Sequence, residues 1–256
     1  ERLYNHLHYF ALLADATTLK VGNAQGRLLE ERAKQINARL TGSRFLRNVL
    51  TPGGLRRDLR DIEGLEDEIS ELRDEAADYL DRLNRTPSYR DRLIGTGTLS
   101  RRVAFDQGAT GPVERASGLD RDLRRDHPYA AYTATSVDVA HHDGGDAEAR
   151  ASVREQELMA SFAYIPRLLR AAPDGPVRAP CEVTAGTEGI GWAEGPRGAL
   201  YYAVHVGEKG RLRRVKVKSP SFSNWRAFPY TVHGTDMMDY AINEASFGLT
   251  IAGCDR

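Results

Sequence analysis

Between residues 201 and 218 the chain contains the runs Tyr201-Tyr202-Ala203-Val204-His205-Val206, Gly207-Glu208-Lys209-Gly210 and Arg214-Val215-Lys216-Val217-Lys218. The first run is rich in aromatic and β-branched residues, and the last alternates charged residues with valine, which is typical of strands. The glycine-containing run between them interrupts both patterns and is typical of a turn. This stretch therefore predicts an antiparallel β-hairpin, around which the rest of the chain is organised.

Upstream of the hairpin, apolar residues recur at helical spacing. They predict helices over residues 1–40, 58–84 and 147–172, and a further helix follows the hairpin over residues 235–245. We expect the first helix to be bent or interrupted between Gly22 and Gly26, and the third to be kinked or broken at Pro166. The expected core contacts of the last helix are Met237, Met238, Tyr240, Ala241 and Ile242.

These elements predict an α+β fold, mainly a helical bundle with a small antiparallel β annex. We expect one domain, with a helical body over residues 1–180 and the hairpin with its tail over residues 181–256. A chain of 256 residues is long enough to bury a sizeable core of this kind.

Composition excludes several classes of function. The 36 basic and 36 acidic residues cancel, so the sequence indicates no nucleic-acid partner and no direct attraction to an anionic membrane. No apolar run is long enough to span a bilayer. The two cysteines, Cys181 and Cys254, do not provide a disulfide framework and favour a reducing, cytoplasmic compartment. We expect Cys181 to be a buried thiol.

Several short motifs occur in a fixed order along the chain. They are Glu1-Arg2-Leu3-Tyr4-Asn5-His6-Leu7, Arg115-Ala116-Ser117-Gly118, Gly195-Pro196-Arg197-Gly198-Ala199, Ser219-Pro220-Ser221-Phe222 and Asp255-Arg256. In content and order they resemble the large subunit of nickel-iron hydrogenases and its relative, the 49 kDa-type subunit of NADH-quinone oxidoreductase (complex I). The resemblance covers essentially all 256 residues and is strongest to hydrogenase-4-like or formate-hydrogenlyase-like large subunits. It implies that part of the family's length lies upstream of Glu1.

The resemblance has consequences for metal binding. Nickel and iron are held in the hydrogenase branch by two Cys-x-x-Cys pairs, since soft thiolates suit these metals. Aligned on the terminal Asp-Arg, Thr250 and Gly253 occupy the two ligand positions of the second pair, and Cys254 falls one residue late. A standard nickel-iron centre is therefore not expected, although Cys254 remains the one alternative metal ligand. The run His141-His142-Asp143 is interpreted as a polar loop, because adjacent loop residues converge poorly on one ion.

The resemblance also implies a set of site residues lining the family's cavity. Arg197 matches the arginine over the metal site, where a guanidinium polarises a ligand or holds an anion; pairing with Glu194 is the alternative. Asp15 and His6, nine residues apart on the first helix and not on one face, are candidate proton-transfer residues, with a structural role as the alternative for His6. The remaining candidates, for cofactor binding, are Ser221, Asp255 and Arg256, with a plain ST-turn as the alternative for Ser221.

Other polar residues are expected to organise structure. Arg115, Asp122 and Arg124 are predicted to form an ion-pair network, since a buried arginine is stable only with its carboxylate partner.

The function implied by the resemblance is that of one subunit in a membrane-associated redox complex, peripheral to the inner side of the cell membrane. The implied partners are an iron-sulfur small subunit with a 4Fe-4S cluster, antiporter-like membrane subunits and a C-subunit-like domain, and the implied electron acceptor is a quinone. Two alternatives stay open: a hydrogenase subunit with unconventional nickel ligands, and a scaffold without catalytic activity.

Overall fold

The computed structural model describes residues 1–172 and 175–254. Eleven α-helices and five strands lie in this part of the chain. The helices are α1 (Arg2–Ala16), α2 (Lys20–Thr41), α3 (Leu65–Asn84), α4 (Pro87–Leu93), α5 (Arg101–Asp106), α6 (Gly111–Arg115), α7 (Leu123–Asp126), α8 (Ala147–Arg170), α9 (Pro220–Trp225), α10 (Pro229–Val232) and α11 (Tyr240–Phe247). The strands are β1 (Leu50–Thr51), β2 (Gly54–Leu55), β3 (Glu188–Gly195), β4 (Gly198–Val206) and β5 (Leu212–Lys218). This composition confirms the predicted α+β class; the division at residue 180 stays a prediction.

The helix α1 is the centre of the bundle. It packs against α2, α8 and α11. Its apolar residues Leu7, Phe10 and Leu13 are buried, as the helical spacing predicts. Because α1 is covered on several sides, a polar residue on its inner face must find its partner inside the protein.

The first predicted helix is interrupted, but earlier than expected. The break between α1 and α2 falls after Ala16, where Thr18 has a positive φ of 68°, and not at Gly22–Gly26. Gly26 lies inside α2, where a Cβ atom would stand 2.9 Å from the Cβ of Ala11 and 2.6 Å from the hydroxyl of Tyr79. The glycine permits close packing of α1 and α2 instead of bending the chain.

Two further boundaries differ from expectation. The helix α3 begins at Leu65 and not at residue 58, because Gly64 precedes it with a φ of 73°. Pro166 lies inside α8, which continues to Arg170 without a break. The apolar stripe predicted for α3 is otherwise confirmed, since Leu72, Ala76 and Tyr79 are almost fully buried.

The predicted hairpin is part of a three-stranded antiparallel sheet in the order β3-β4-β5. Its second turn joins β4 to β5, with a register irregularity between His205 and Val206. The strand β3 does not follow from the sequence pattern. Its sequence, EGIGWAEG, has few apolar residues and several glycines, which weaken the strand pattern.

The last predicted helix is shorter than expected. A 3-10 turn occupies Met237–Asp239, and α11 begins only at Tyr240. The prediction that Met237 and Met238 contact the core is wrong: they are 93% and 82% exposed. Ile242, one turn further on, is fully buried as expected.

Within the described residues, no helix combines the length and apolar character needed to cross a membrane.

Candidate functional site

A buried cluster of charged side chains joins α6, α7, α8 and the sheet. Arg115 Nη1 lies 3.1 Å from a carboxylate oxygen of Asp122 and 3.1 Å from one of Glu194, and its other terminal nitrogen binds Glu157. Arg124 Nη2 lies 2.6 Å from Asp122. The predicted network of Arg115, Asp122 and Arg124 is confirmed, and it contains two more carboxylates than expected.

Glu157 is the carboxylate that links this cluster to α1. It accepts hydrogen bonds from Arg2 at 2.7 Å and His6 at 2.9 Å. Although burial alone raises the pKa of Glu157, the charges of Arg115 and Arg2 hold it well below its usual range. Burial lowers the pKa of His6 to about 4 in spite of its contact with Glu157. His6 is therefore neutral at pH 7 and tied to a charged carboxylate.

Sequence reasoning missed Glu157, although a signal was present. Arg150, Arg154 and Glu157 follow one another at spacings of four and three residues, so they share one face of α8. Leu158 and Val153 mark that side of the helix as buried. Charged residues on a buried helix face must be partnered, and this pattern predicts an internal polar network.

Arg150 and Arg154 are buried without a carboxylate partner among the described residues. Arg150 donates to the carbonyls of Gly97 and Gly145 at 3.0 and 2.7 Å. Arg154 donates to the carbonyl of Phe247 at 2.8 Å, at the end of α11. Burial lowers the pKa of Arg150 to about 9. The two guanidinium groups thus fix the C-terminal end of α11 against α8, where the helix dipole favours positive charge.

A cavity of about 390 Å³ lies between α1 and the C-terminal tail. It brings together His6, Asp15 and Arg197, which are the three predicted catalytic residues, and Thr250, which the resemblance predicts at one of the two metal-ligand positions. The other lining residues are Asn5, His8, Tyr9, Leu12, Ala16, Arg154, Pro196, Ala241, Glu244, Ala245, Gly248 and Leu249. The cavity runs along α1, so residues nine positions apart reach it although they do not share one helix face.

Arg197 lies in the turn between β3 and β4 and lines this cavity. Its Nε donates to the carbonyl of Gly248 at 2.8 Å. The alternative that it pairs with Glu194 is not what the structure has, since Glu194 binds Arg115. Burial lowers the pKa of Arg197. Its guanidinium is held by one carbonyl and has no carboxylate partner among the residues that the structure describes.

Asp15 lies at the solvent-exposed end of the cavity, and His6 lies at its buried end. Asp15 is half exposed and binds Lys20 at 2.6 Å. His6 is 1% exposed and faces Glu157. Ala16, the residue next to Asp15, also lines the cavity.

Ser221 holds the tail beside the cavity and is not among its lining residues. Its Oγ accepts a hydrogen bond from the backbone N–H of Thr250 at 3.1 Å. Cys254 Sγ donates to the carbonyl of Thr250 at 3.4 Å. The other two predicted cofactor-binding residues, Asp255 and Arg256, lie outside the described residues.

The thiols and histidines do not form a metal-binding group in the described part of the chain. No set of three or more His, Cys, Asp or Glu side chains has a suitable arrangement there. The prediction that Cys181 is buried is wrong, because it is exposed. In the predicted polar loop, His142 Nδ1 accepts from the N–H of Gly144 at 3.0 Å.

A second cavity, of about 480 Å³, adjoins the first at Pro196. Its walls are mainly apolar side chains of α2, α3 and α8, with Arg2 and Tyr4 at the start of α1. Of the predicted site residues in the described part of the chain, none lines it, so the candidate site is the smaller cavity.

Comparison with known proteins supports the resemblance noted in the sequence. A family model described as the 49 kDa subunit of respiratory-chain NADH dehydrogenase matches residues 26–186 and 178–256. Formate hydrogenlyase subunit 5 of Escherichia coli is 29% identical, over 100% of this chain and 46% of its own length. A carbon monoxide-induced hydrogenase of Rhodospirillum rubrum is 31% identical, over 100% of this chain and 72% of its own length. The chain thus spans about half of one relative and nearly three quarters of the other.

A solved structure shares the fold. It is the membrane-bound sulfane sulfur reductase, described as an archaeal respiratory membrane complex. The TM-score is 0.90 at 24% identity, over 98% of this chain and 71% of the other. The names of these relatives are those of oxidoreductases. Together the family model and the R. rubrum hydrogenase show that the chain belongs to the family of the 49 kDa subunit of respiratory-chain NADH dehydrogenase, which includes the large subunits of related hydrogenases.

Proposed function

We propose that this chain is the large subunit of a membrane-associated redox complex related to complex I and to membrane-bound hydrogenases. Its cavity lies next to an iron-sulfur cluster of a small partner subunit, and electrons pass from that 4Fe-4S cluster to a quinone or a related acceptor. The further partners are antiporter-like membrane subunits and a C-subunit-like domain. They hold the chain at the inner side of the cell membrane, as a peripheral subunit.

The observation that carries this proposal is the convergence of His6, Asp15 and Arg197 on one cavity. A volume of about 390 Å³ lies within the range of roughly 300–1,000 Å³ found for small-molecule sites. The cavity has apolar walls at Leu12 and Leu249, which suit a quinone ring. A few polar groups among apolar walls are what orientates such a ligand.

Quinone reduction adds two electrons and two protons to the ring oxygens, and the cavity residues suit both demands. The guanidinium of Arg197 provides fixed positive charge where a ring oxygen gains negative charge. His6 is neutral at rest, and a negative charge arriving in the cavity raises the pKa of His6 and favours its protonation. Asp15 lies at the exposed end of the cavity, where it exchanges protons with solvent.

We do not expect a nickel-iron centre here. By the resemblance, Thr250 and Gly253 stand in the two ligand positions, and neither supplies a thiolate. Cys254 is a single thiol, directed at the carbonyl of Thr250. The alternative of a hydrogenase with unconventional ligands therefore requires donors from elsewhere.

The deciding measurement is nickel per polypeptide in the full-length protein purified with its partners. We expect background nickel together with quinone-dependent electron transfer that quinone-site inhibitors block. Near-stoichiometric nickel would make the protein a hydrogenase subunit. Background nickel without quinone reduction or inhibitor binding would favour the scaffold without catalytic activity.

Replacing Arg197 by Ala separates catalysis from assembly. The variant should lose quinone reduction while the complex still forms, because the Arg197 side chain donates to a backbone carbonyl and forms no ion pair with the residues that the structure describes. A variant with unchanged turnover would contradict the assigned role.

A further inference from the structure

The strand β5 forms one edge of the three-stranded sheet. The strand order is β3-β4-β5, so only one side of β5 pairs with another strand among the described residues. Nearly all of its side chains are exposed; Leu212 is 63% and Val215 41% exposed. An edge strand of this kind presents unpaired backbone N–H and C=O groups and is a template for another strand.

The two faces of β5 differ in chemistry. Register pairs Val215 with Val204 and Val217 with Tyr202, which places these side chains on one, apolar face. Lys216 pairs with Ala203, and Arg214 and Lys218 share its face, opposite to the valines, because side chains alternate along a strand; Arg213 lies at the register irregularity. A segment added to this edge meets apolar groups on one side and positive charges on the other.

The positive charges along this edge are not neutralised within the chain. Residues 207–218 contain six cations and a single acid, Glu208. None of the six forms an ion pair or a side-chain hydrogen bond with the residues that the structure describes: Lys209, Arg211, Arg213, Arg214, Lys216 and Lys218. Two exposed arginines at the end of α3 are paired, by contrast: Arg82 with Asp78 at 2.6 Å and Arg85 with Asp81 at 2.9 Å.

We propose that the free edge of β5 receives an extended segment of a partner protein that pairs with it as a fourth strand. The segment alternates acidic side chains, facing Arg214, Lys216 and Lys218, with apolar side chains, facing Val215 and Val217. Backbone hydrogen bonds supply affinity, and the alternating contacts supply specificity. Opposite charges across neighbouring strands each strengthen such pairing.

The chemistry of the edge selects this occupant over two others. A second copy of the chain would bring the same cations opposite one another, which is repulsive. A lipid surface has no backbone to pair with the edge and, being flat, reaches only one face of the sheet. The turn at the end of this edge, Gly207-Glu208-Lys209-Gly210, also has no apolar side chain to insert into a membrane. This inference does not depend on the chemistry of the cavity.

Photo-crosslinking tests the pairing directly. The complete protein is produced in its host with p-benzoyl-phenylalanine in place of Arg214, Lys216 or Lys218, one position at a time, and irradiated in intact cells. We expect adducts on one acidic and apolar segment of one partner protein. When the probe moves by two residues along β5, the crosslinked residue of the partner segment should also change by two, as in paired strands. Steps of three or four residues would indicate a partner helix and overturn the proposal. Adducts with lipid or with a second copy of this chain, or no adduct, would do the same.

Charge reversal provides a second, independent measurement. The partner identified by crosslinking is then copurified with the chain without irradiation. The double variant Arg214→Glu with Lys216→Glu should retain about tenfold less of this partner than the native chain. The matched control is Arg90→Glu, an exposed cation of α4 that forms no ion pair among the described residues, and it should leave retention unchanged. If the double variant retains as much partner as the native chain and also self-associates, the cations serve only to prevent aggregation at the edge. This result would overturn the proposal.

Discussion

The substitution Glu157→Gln tests the buried ion cluster more sharply than any other change. Gln keeps the shape of the side chain but removes the charge that Arg115, Arg2 and His6 share. Glu157 is 3% exposed, so water cannot replace the lost partner. Breaking a buried ion pair in this way costs about 3–5 kcal/mol. For a chain of 256 residues, that cost corresponds to a fall in Tm of roughly 6–20 °C.

The pH dependence of this effect has a definite sign. The folded-state pKa of Glu157 is held below its ordinary value of 4.5 by neighbouring arginines. A group with a lowered folded pKa stabilises the protein above its unfolded pKa, and that contribution is lost as the pH falls through the folded pKa. The difference in free energy of unfolding between the native chain and the variant should therefore be largest at neutral pH. It should narrow progressively below pH 4.5.

The measurement is calorimetric or denaturant-induced unfolding of both proteins at pH 7 and at successively lower pH. The matched control is Glu155→Gln, on the same helix, where Gln still accepts from the amide of Asn84. The control should change Tm by no more than about 2 °C, as surface substitutions do. Two results would refute the role of Glu157 as the centre of the cluster. One is a decrease in Tm for Glu157→Gln no larger than that of the control; the other is a difference from the native chain that does not become smaller at low pH.

Three further predictions concern packing and the cavity. Gly26→Ala should lower the free energy of unfolding by about 1–3 kcal/mol, because its Cβ would stand 2.6 Å from the Tyr79 hydroxyl. Thermal unfolding measures this change, and an unchanged Tm would mean that α1 and α2 can move apart without loss of stability. Asp15→Asn should change stability by less than about 1 kcal/mol, since its pair with Lys20 is exposed, while lowering quinone reduction; loss of stability with intact turnover would reverse the assignment. Met237→Ser should leave the free energy of unfolding within about 0.5 kcal/mol, and a larger loss in urea titration would place this side chain in the core.

The sequence predicts best the elements in which one periodicity is unmistakable. The strand β5 alternates in side-chain type, β4 is rich in aromatic and β-branched residues, and the stripe of α3 follows helical spacing, so the sequence predicts all three. The strand β3 escapes prediction because its glycines carry no side-chain signal and its pairing with β4 is a tertiary effect. Tertiary structure also decides the positions of Met237 and Met238, which are wrongly predicted in the core. Their hydrophobicity suggests a core position, whereas the 3-10 turn at this point directs them into solvent.

The candidate site is predictable only in part. The family motifs identify Arg197, His6 and Asp15, and the fold brings them to one cavity. No local pattern connects His6 with Glu157, which is 151 residues away in the chain. Such a pair is decided by the packing of α1 on α8, and this packing is not encoded in either segment alone.

The attachment of α11 to α1 and α8 has a consequence for biosynthesis. The buried guanidinium groups of Arg150 and Arg154 need hydrogen-bond acceptors, and those of Arg154 include the carbonyls of Ser246 and Phe247. Until the ribosome has released residue 247, α8 cannot bury these groups with their acceptors in place, and α1 lacks one of its packing partners. Closing contacts between distant parts of a chain is slow compared with forming local helices. The nascent chain should therefore expose Arg154 on α8 from the synthesis of α8 until that of α11, as a surface for chaperones.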